Sequence, residues 1–214
     1  PSVGMFVQCY GTMGCADFCS GTLIHENWFI TAAHCVEQLQ ASDELFVLFG
    51  DNLDDYTSYS EVVSWIAHPG YLGMQSSYIR DDVALVELAG IIDPATREPV
   101  EIPQMYLNRD EITNGWIDTE LQMVGFGITG TNRHDTGTNG TVSMPIYEFD
   151  DLFVYLYDGT DRQNICSGDS GGAALRRNED DIWELVGVNS FTWGECESWY
   201  AGVARVDMYI SWIE

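Results

Sequence analysis

Cys166-Ser167-Gly168-Asp169-Ser170-Gly171-Gly172 places Ser170 among three glycines. Glycine lets the backbone turn tightly here, so that a hydroxyl and free N–H groups can face a substrate carbonyl together. Such a loop suits acyl transfer. A glycine-rich hairpin with a polar tip is the structural alternative, and the partners available elsewhere in the chain decide between the two.

The same string satisfies Gly-x-Ser-x-Gly, the nucleophile elbow of α/β-hydrolases, which would imply a sheet flanked by alternating helices. That fold needs a histidine after the serine, and no histidine follows Ser170. A serine hydroxyl is a weak nucleophile at neutral pH. It needs an imidazole to accept its proton and a carboxylate to hold that imidazole in the right tautomer. His25, His68 and His134 sit in turn-like surroundings. His34 instead ends the apolar run Trp28-Phe29-Ile30-Thr31-Ala32-Ala33 and precedes Cys35. Asp82 heads a second apolar run, Val83-Ala84-Leu85-Val86, where a carboxylate is costly unless paired. The order His34, Asp82, Ser170 is the arrangement that remains.

Working outward, the apolar runs are short, rich in Val, Ile, Phe, Tyr and Trp, and punctuated by Gly, Asn, Asp and Pro. This reads as all-β. Six strands are predicted at about 3–10, 18–24, 28–32, 44–50, 60–67 and 82–88, and six more at about 120–127, 141–149, 152–157, 172–177, 182–191 and 201–206. The stretch 89–119 carries Pro94, Pro99 and Pro103 with little alternation, as a connector would. The predicted domains are therefore 1–108, carrying His34 and Asp82, and 109–214, carrying Ser170. Helix is expected only as a turn after Ala33 and at the C-terminal end, where Asp207 would cap and Met208, Trp212 and Ile213 would face the core. The architecture expected is two six-stranded antiparallel β-barrels or sandwiches with a short terminal α-helix.

Eight basic residues, all arginine, against 34 acidic ones leave a net charge of −26 in 214 residues. Nucleic acid and acidic membranes are disfavoured as partners. The acidity reads foremost as a solubilising surface. No run of apolar residues is long enough for a membrane helix. Six cysteines fit three disulfides and an oxidising, secreted setting. Their spacing matches no zinc pattern, and Asp51, Asp54 and Asp55 read as a solvated acidic loop, so no metal and no cofactor is expected.

Thr31-Ala32-Ala33-His34-Cys35, Asp82-Val83-Ala84-Leu85 and Gly168-Asp169-Ser170-Gly171-Gly172 together resemble the signature blocks of the chymotrypsin-like serine proteases. Cys19-Ser20-Gly21-Thr22-Leu23-Ile24, Gly125-Phe126-Gly127 and Ser211-Trp212-Ile213 extend the resemblance over nearly the whole chain. It implies two six-stranded barrels with His34, Asp82 and Ser170 in the cleft between them. The N–H groups of Gly168 and Ser170 would form the oxyanion hole, and Ser190 would hydrogen-bond the buried Asp82. It also implies disulfides Cys19–Cys35 and Cys166–Cys196. Cys9 and Cys15 remain, placed for a local bridge across a hairpin or left as free thiols.

Asn164, six residues before Ser170, matches the base of the family's primary specificity pocket, where trypsin-like members carry aspartate. A neutral asparagine leaves a substrate Lys or Arg unpaired, so cleavage after uncharged, medium-sized residues is expected. Ser190, Phe191, Thr192 and Gly202 would line that pocket, with Thr192 narrowing the mouth and Gly202 keeping the rear open. Glu195 or Glu197 is a candidate remote acid. Family members begin with a hydrophobic pair and two glycines released by zymogen cleavage, and Pro1 aligns roughly ten residues inside such a start. The sequence is thus expected to be part of a longer protease in which a freed amino terminus pairs with Asp169. The resemblance implies a secreted, monomeric endopeptidase acting on protein or peptide substrates, with a protein inhibitor as a further candidate partner. The competing reading is a silent or zymogen-like relative serving as a binding module.

Overall fold

The computed structural model describes residues 2–76, 78–196 and 198–214. Alternating apolar residues in the first half form β1 (Val3–Cys9), β2 (Cys15–His25), β3 (Trp28–Thr31), β4 (Glu44–Gly50), β5 (Tyr56–Ala67) and β6 (Ala84–Leu88). They pair antiparallel in the order β1-β2-β3-β6-β5-β4 and close through β1 and β4, where Met5 lies opposite Leu48. Closure leaves no open sheet edge to aggregate. Phe6, Leu23, Phe29, Phe49 and Leu88 fill the interior. The Phe29 ring meets Phe6 and Phe49 edge-on, at centroid distances of 6.4 and 6.1 Å. Each such pair adds about 0.5–1.5 kcal/mol to the burial of its rings.

The connector contributes β7 (Tyr106–Leu107), which runs parallel to a strand of the second unit. That unit contains β8 (Glu120–Gly125), β9 (Gly140–Phe149), β10 (Phe153–Leu156), β11 (Ala173–Arg177), β12 (Trp183–Thr192) and β13 (Ala201–Arg205). Pairing follows β11-β8-β9-β10-β13-β12, and β12 returns to β11 to complete the ring. Leu121, Met123, Met144, Ile146, Val154, Leu156, Val186 and Val203 form its own core. The six-plus-six strand reading holds, and β7 is an addition to it.

All three disulfides are present, joining Cys9 to Cys15, Cys19 to Cys35 and Cys166 to Cys196. Cys9 and Cys15 are cross-strand partners at the end of the β1–β2 hairpin. The turn after Ala33 is α1 (Ala33–Val36). The C-terminal end departs from expectation. A 3₁₀ turn, Val206–Met208, precedes α2 (Ile210–Ile213), and Asp207 caps neither. Its carboxylate is held instead by the Arg205 guanidinium through two bonds of 3.1 and 2.6 Å. Met208 is half exposed, whereas Trp212 and Ile213 pack on the core as expected.

Candidate active site

β3 carries the chain through Thr31 into α1, and the Cys19–Cys35 disulfide ties that turn back to β2. His34 is thereby held with its side chain 15% exposed at the cleft, against Asp82, which is 1% exposed. Asp82 lies just ahead of β6, which pairs with β3 and so brings the two residues together. The Asp82 carboxylate receives three donors: the His34 backbone N–H at 2.9 Å, His34 Nδ1 at 2.8 Å and the Ser190 hydroxyl at 2.5 Å. A buried carboxylate so satisfied stays put and keeps Nδ1 protonated, leaving Nε2 to accept. Ser190 comes from β12 of the second barrel, so this network spans both units.

Tyr71 lies within electrostatic reach of Asp82. Its hydroxyl donates to Glu37 at 3.1 Å. Burial, followed by the Asp82 and Glu37 carboxylates, pushes its pKa well above the usual tyrosine value.

Ser170 sits in the loop between Cys166 and β11. Gly168 and Gly171 have φ of +95° and +82°, the left-handed region that only glycine enters freely. A Cβ on Gly171 would also overlap Thr31 Oγ1 and the Ser20 carbonyl, so the loop lies directly on the strands that lead to His34. The Asp169 N–H donates to Cys166, Gly171 to Asn189 and Gly172 to Asp169. Among the described residues, the N–H groups of Gly168 and Ser170 have no acceptor, and no hydrogen bond joins the Ser170 hydroxyl to His34.

One residue that the sequence left without a role is Ser20. Its hydroxyl donates to the Gly168 carbonyl at 2.7 Å and accepts from Phe126 N–H at 3.0 Å, while its own N–H donates to the Ser170 carbonyl at 2.8 Å. A fully buried first-barrel serine thus pins the backbone on both sides of Asp169. Nothing in the local sequence signals this, because its partners lie more than 100 residues away.

Asp169 is held by backbone groups of the second barrel. Its carboxylate accepts from Gly127 N–H and Cys166 N–H, each at 2.8 Å. Among the described residues it has no cationic partner, and burial raises its pKa against the lowering effect of those two bonds. A cavity of about 260 Å³, lined by Gly125, Gly127, Thr129, Arg162 and Asn164 among others, opens onto it.

The expected specificity residues fall at one end of the second barrel. Asn164 donates from Nδ2 to the carbonyls of Ser198 and Trp199, both at 3.1 Å, and accepts Ile165 N–H at 2.8 Å. Both ends of its amide are therefore engaged. Phe191 and Thr192 close β12 opposite Gly202 and Ala201 of β13. The Phe191 ring lies across Gly202, where a Cβ would overlap it, and packs edge-on against Phe153 at 5.1 Å. The space behind Gly202 is thus filled by Phe191. Glu195 is exposed, and Glu197 lies outside the described residues. Potential metal-ligand atoms of Cys19, His34 and Cys35 lie within 4.8 Å of one another, but the two sulfurs are bonded together and offer no thiolate.

Two six-stranded antiparallel barrels, with His34 and Asp82 supplied by one and Ser170 and Ser190 by the other, define the chymotrypsin fold. The family model described as trypsin matches residues 3–213, and the chain belongs to this trypsin-like serine protease family. It is 27% identical over 91% of its length to serine proteinase stubble of Drosophila melanogaster, spanning 26% of that protein. It is 30% identical to ovochymase of Halocynthia roretzi over 93% of its length, spanning 13% of that protein. It is also 30% identical to trypsin Tyr p 3.0101 of Tyrophagus putrescentiae, over 92% of its length and 71% of the relative's. The chain thus corresponds to a small part of the first two relatives and to most of the third.

Proposed function

We propose that this chain is the catalytic unit of a secreted serine endopeptidase with Ser170 as nucleophile, His34 as general base and Asp82 as the orienting carboxylate. The observation that carries the reading is the Asp82 carboxylate, which fixes His34 from two sides while Ser190 fixes the carboxylate. In the reaction, Ser170 Oγ attacks the peptide carbonyl carbon and His34 Nε2 takes the hydroxyl proton. The carbonyl oxygen becomes an oxyanion, received by the N–H groups of Gly168 and Ser170. His34 then returns the proton to the leaving amine as the C–N bond breaks. Water, deprotonated by His34, releases the acyl group from Ser170 by the same steps in reverse order.

Substrates cleaved after uncharged, medium-sized residues suit this site. Asn164 carries no charge to offset a guanidinium or ammonium group, and an unpaired buried cation costs several kcal/mol. Phe191, whose ring covers Gly202, supplies an apolar wall beside Thr192. Secretion accords with three disulfides, and among the described residues no helix is long and apolar enough to cross a membrane. The chain acts as a monomer on protein or peptide substrates, and a protein inhibitor would occupy the same cleft.

A zymogen-like resting state is the second reading, supported by Asp169. A partly buried carboxylate bound by neutral N–H groups, beside a cavity, is suited to receive a freed amino terminus. Peptide-library cleavage by the processed full-length protein, beside its Ser170→Ala variant, tests the proposal. Cleavage after Leu, Met or Ala, exceeding that after Arg by about tenfold or more, is expected. Preference for Arg would overturn the specificity, and no Ser170-dependent cleavage would leave the binding-module reading.

A further inference from the structure

Trp193 and Trp199 are 61% and 55% exposed, far more than tryptophan's apolar bulk favours. Both border a pocket of about 460 Å³ that Tyr155, Tyr200, Glu148 and Asp150 complete. It lies between the turn joining β9 to β10 and the segment joining β12 to β13, and it contains none of His34, Asp82 or Ser170.

The pocket is built rather than incidental. Trp199 adopts φ +63°, a strained conformation for a bulky residue, and is held there by its N–H bond to Asp161 at 3.0 Å. Trp193 N–H donates to the Tyr200 carbonyl at 2.9 Å. The Tyr200 ring is buttressed by Tyr157 and Tyr147 at 5.0 and 5.2 Å. Asp150 is fixed by Leu152 and Phe153 N–H, each at 2.7 Å, and by the Tyr155 hydroxyl at 2.8 Å.

The charge in this pocket is not neutralised. Among the described residues, the Glu148 carboxylate accepts no hydrogen bond, and neither Glu148 nor Asp150 forms an ion pair. Arg205, on adjoining β13, is committed to Asp207 and to the Asp150 carbonyl. Aromatic faces beside carboxylates attract a cation, and guanidinium suits both because it stacks flat and donates in plane. The chain uses this chemistry internally. Arg176 lies 3.8 Å over the Trp116 ring while pairing with Asp110 at 2.8 Å, and Arg177 lies 4.6 Å over Trp183.

We propose that the pocket of Trp193, Trp199, Tyr155, Tyr200, Glu148 and Asp150 is a binding site for an arginine side chain of a polypeptide partner. A net charge of −26 draws basic polypeptides toward this surface, and the aromatic faces then select the planar cation. Basic residues are recognised by this aromatic and acidic lining, while the Asn164 amide is committed to the backbone of Ser198 and Trp199.

The test needs no catalysis. The chain carrying Ser170→Ala is labelled with ¹⁵N and titrated with acetyl-Gly-Arg-Gly amide, with its citrulline counterpart and with acetyl-Gly-Leu-Gly amide, while the indole N–H resonances are followed. The arginine peptide is expected to shift the Trp193 and Trp199 signals saturably, with citrulline and leucine about tenfold weaker or more. Glu148→Gln, an exposed change that leaves the fold intact, should weaken arginine binding about 3- to 10-fold, and added salt should weaken it further. Equal response to citrulline or leucine, shifts confined to other tryptophans, no saturable shift, or indifference to Glu148→Gln would each overturn the proposal.

Discussion

The hydroxyl of Ser20, in the first barrel, donates to the carbonyl of Gly168, in the second, at 2.7 Å. With the Ser20 N–H bond to Ser170 at 2.8 Å, it fixes the Ser170 loop against the strands that deliver His34. Ser20→Ala removes the donor and leaves the buried Phe126 N–H unsatisfied. Stability is expected to fall by about 1–3 kcal/mol in urea unfolding. In the active enzyme kcat should fall about tenfold with little change in KM, because the loop positions transition-state groups rather than substrate. An unchanged kcat would remove Ser20 from the positioning machinery.

Ser190 should matter through Asp82 alone. Ser190→Ala deletes the 2.5 Å bond and leaves both His34 bonds to the carboxylate. A loss of about 3- to 30-fold in kcat is expected. Asp82→Asn should cost far more, because the amide favours the wrong histidine tautomer. Steady-state kinetics on the two variants separates these effects. Equal losses would mean that Ser190 does more than hold the carboxylate.

Asn164→Asp is expected not to create an arginine-specific enzyme. The new carboxylate would face the Ser198 and Trp199 carbonyls that the amide now donates to. Repulsion there should cost about 1–3 kcal/mol and loosen the 198–199 segment. Thermal unfolding and cleavage of paired Leu and Arg substrates check this, with lower stability and poor turnover of both expected. A stable variant preferring Arg would show that the segment rearranges freely.

Asp169 gives stability a pH dependence of definite sign. Burial raises its folded pKa above the unfolded value near about 4, so the native state keeps a proton that the unfolded chain has lost. The contribution is full below that unfolded value and is lost as pH rises through the raised folded value. The loss cannot exceed about 1.4 kcal/mol per pH unit for one proton. Asp169→Asn lacks this titration, so the stability of the parent chain relative to this variant should fall as pH rises from the carboxylate range toward neutrality. A flat difference curve would contradict the assignment.

Both barrels were legible in the sequence because each strand is a short apolar run between turn residues, and period-two patterning survives without knowledge of neighbours. The candidate residues His34, Asp82 and Ser170 stood out in the sequence for a different reason. Each stands in a local string whose chemistry makes little sense alone, and the chain order removed the competing fold. What stayed hidden depends on distant partners. Asp207 reads as a helix cap until Arg205 is seen to capture it. Ser20 reads as a strand serine until the Gly168 loop lies on it. The Phe191 ring over Gly202 follows from a side-chain direction that strand patterning does not carry. The tryptophan-lined pocket joins three separate segments, none of which carries a motif.

The most direct test of the central claim is intact-protein mass spectrometry after exposure to a fluorophosphonate, which phosphonylates activated serines with loss of fluoride. The full-length protein, proteolytically processed, is compared with its Ser170→Ala and His34→Ala variants. A single adduct on Ser170, lost in both variants, is the result expected of a working His34–Asp82–Ser170 relay. An unmodified processed protein, or an adduct that survives Ser170→Ala, would contradict the assignment of Ser170 as the nucleophile.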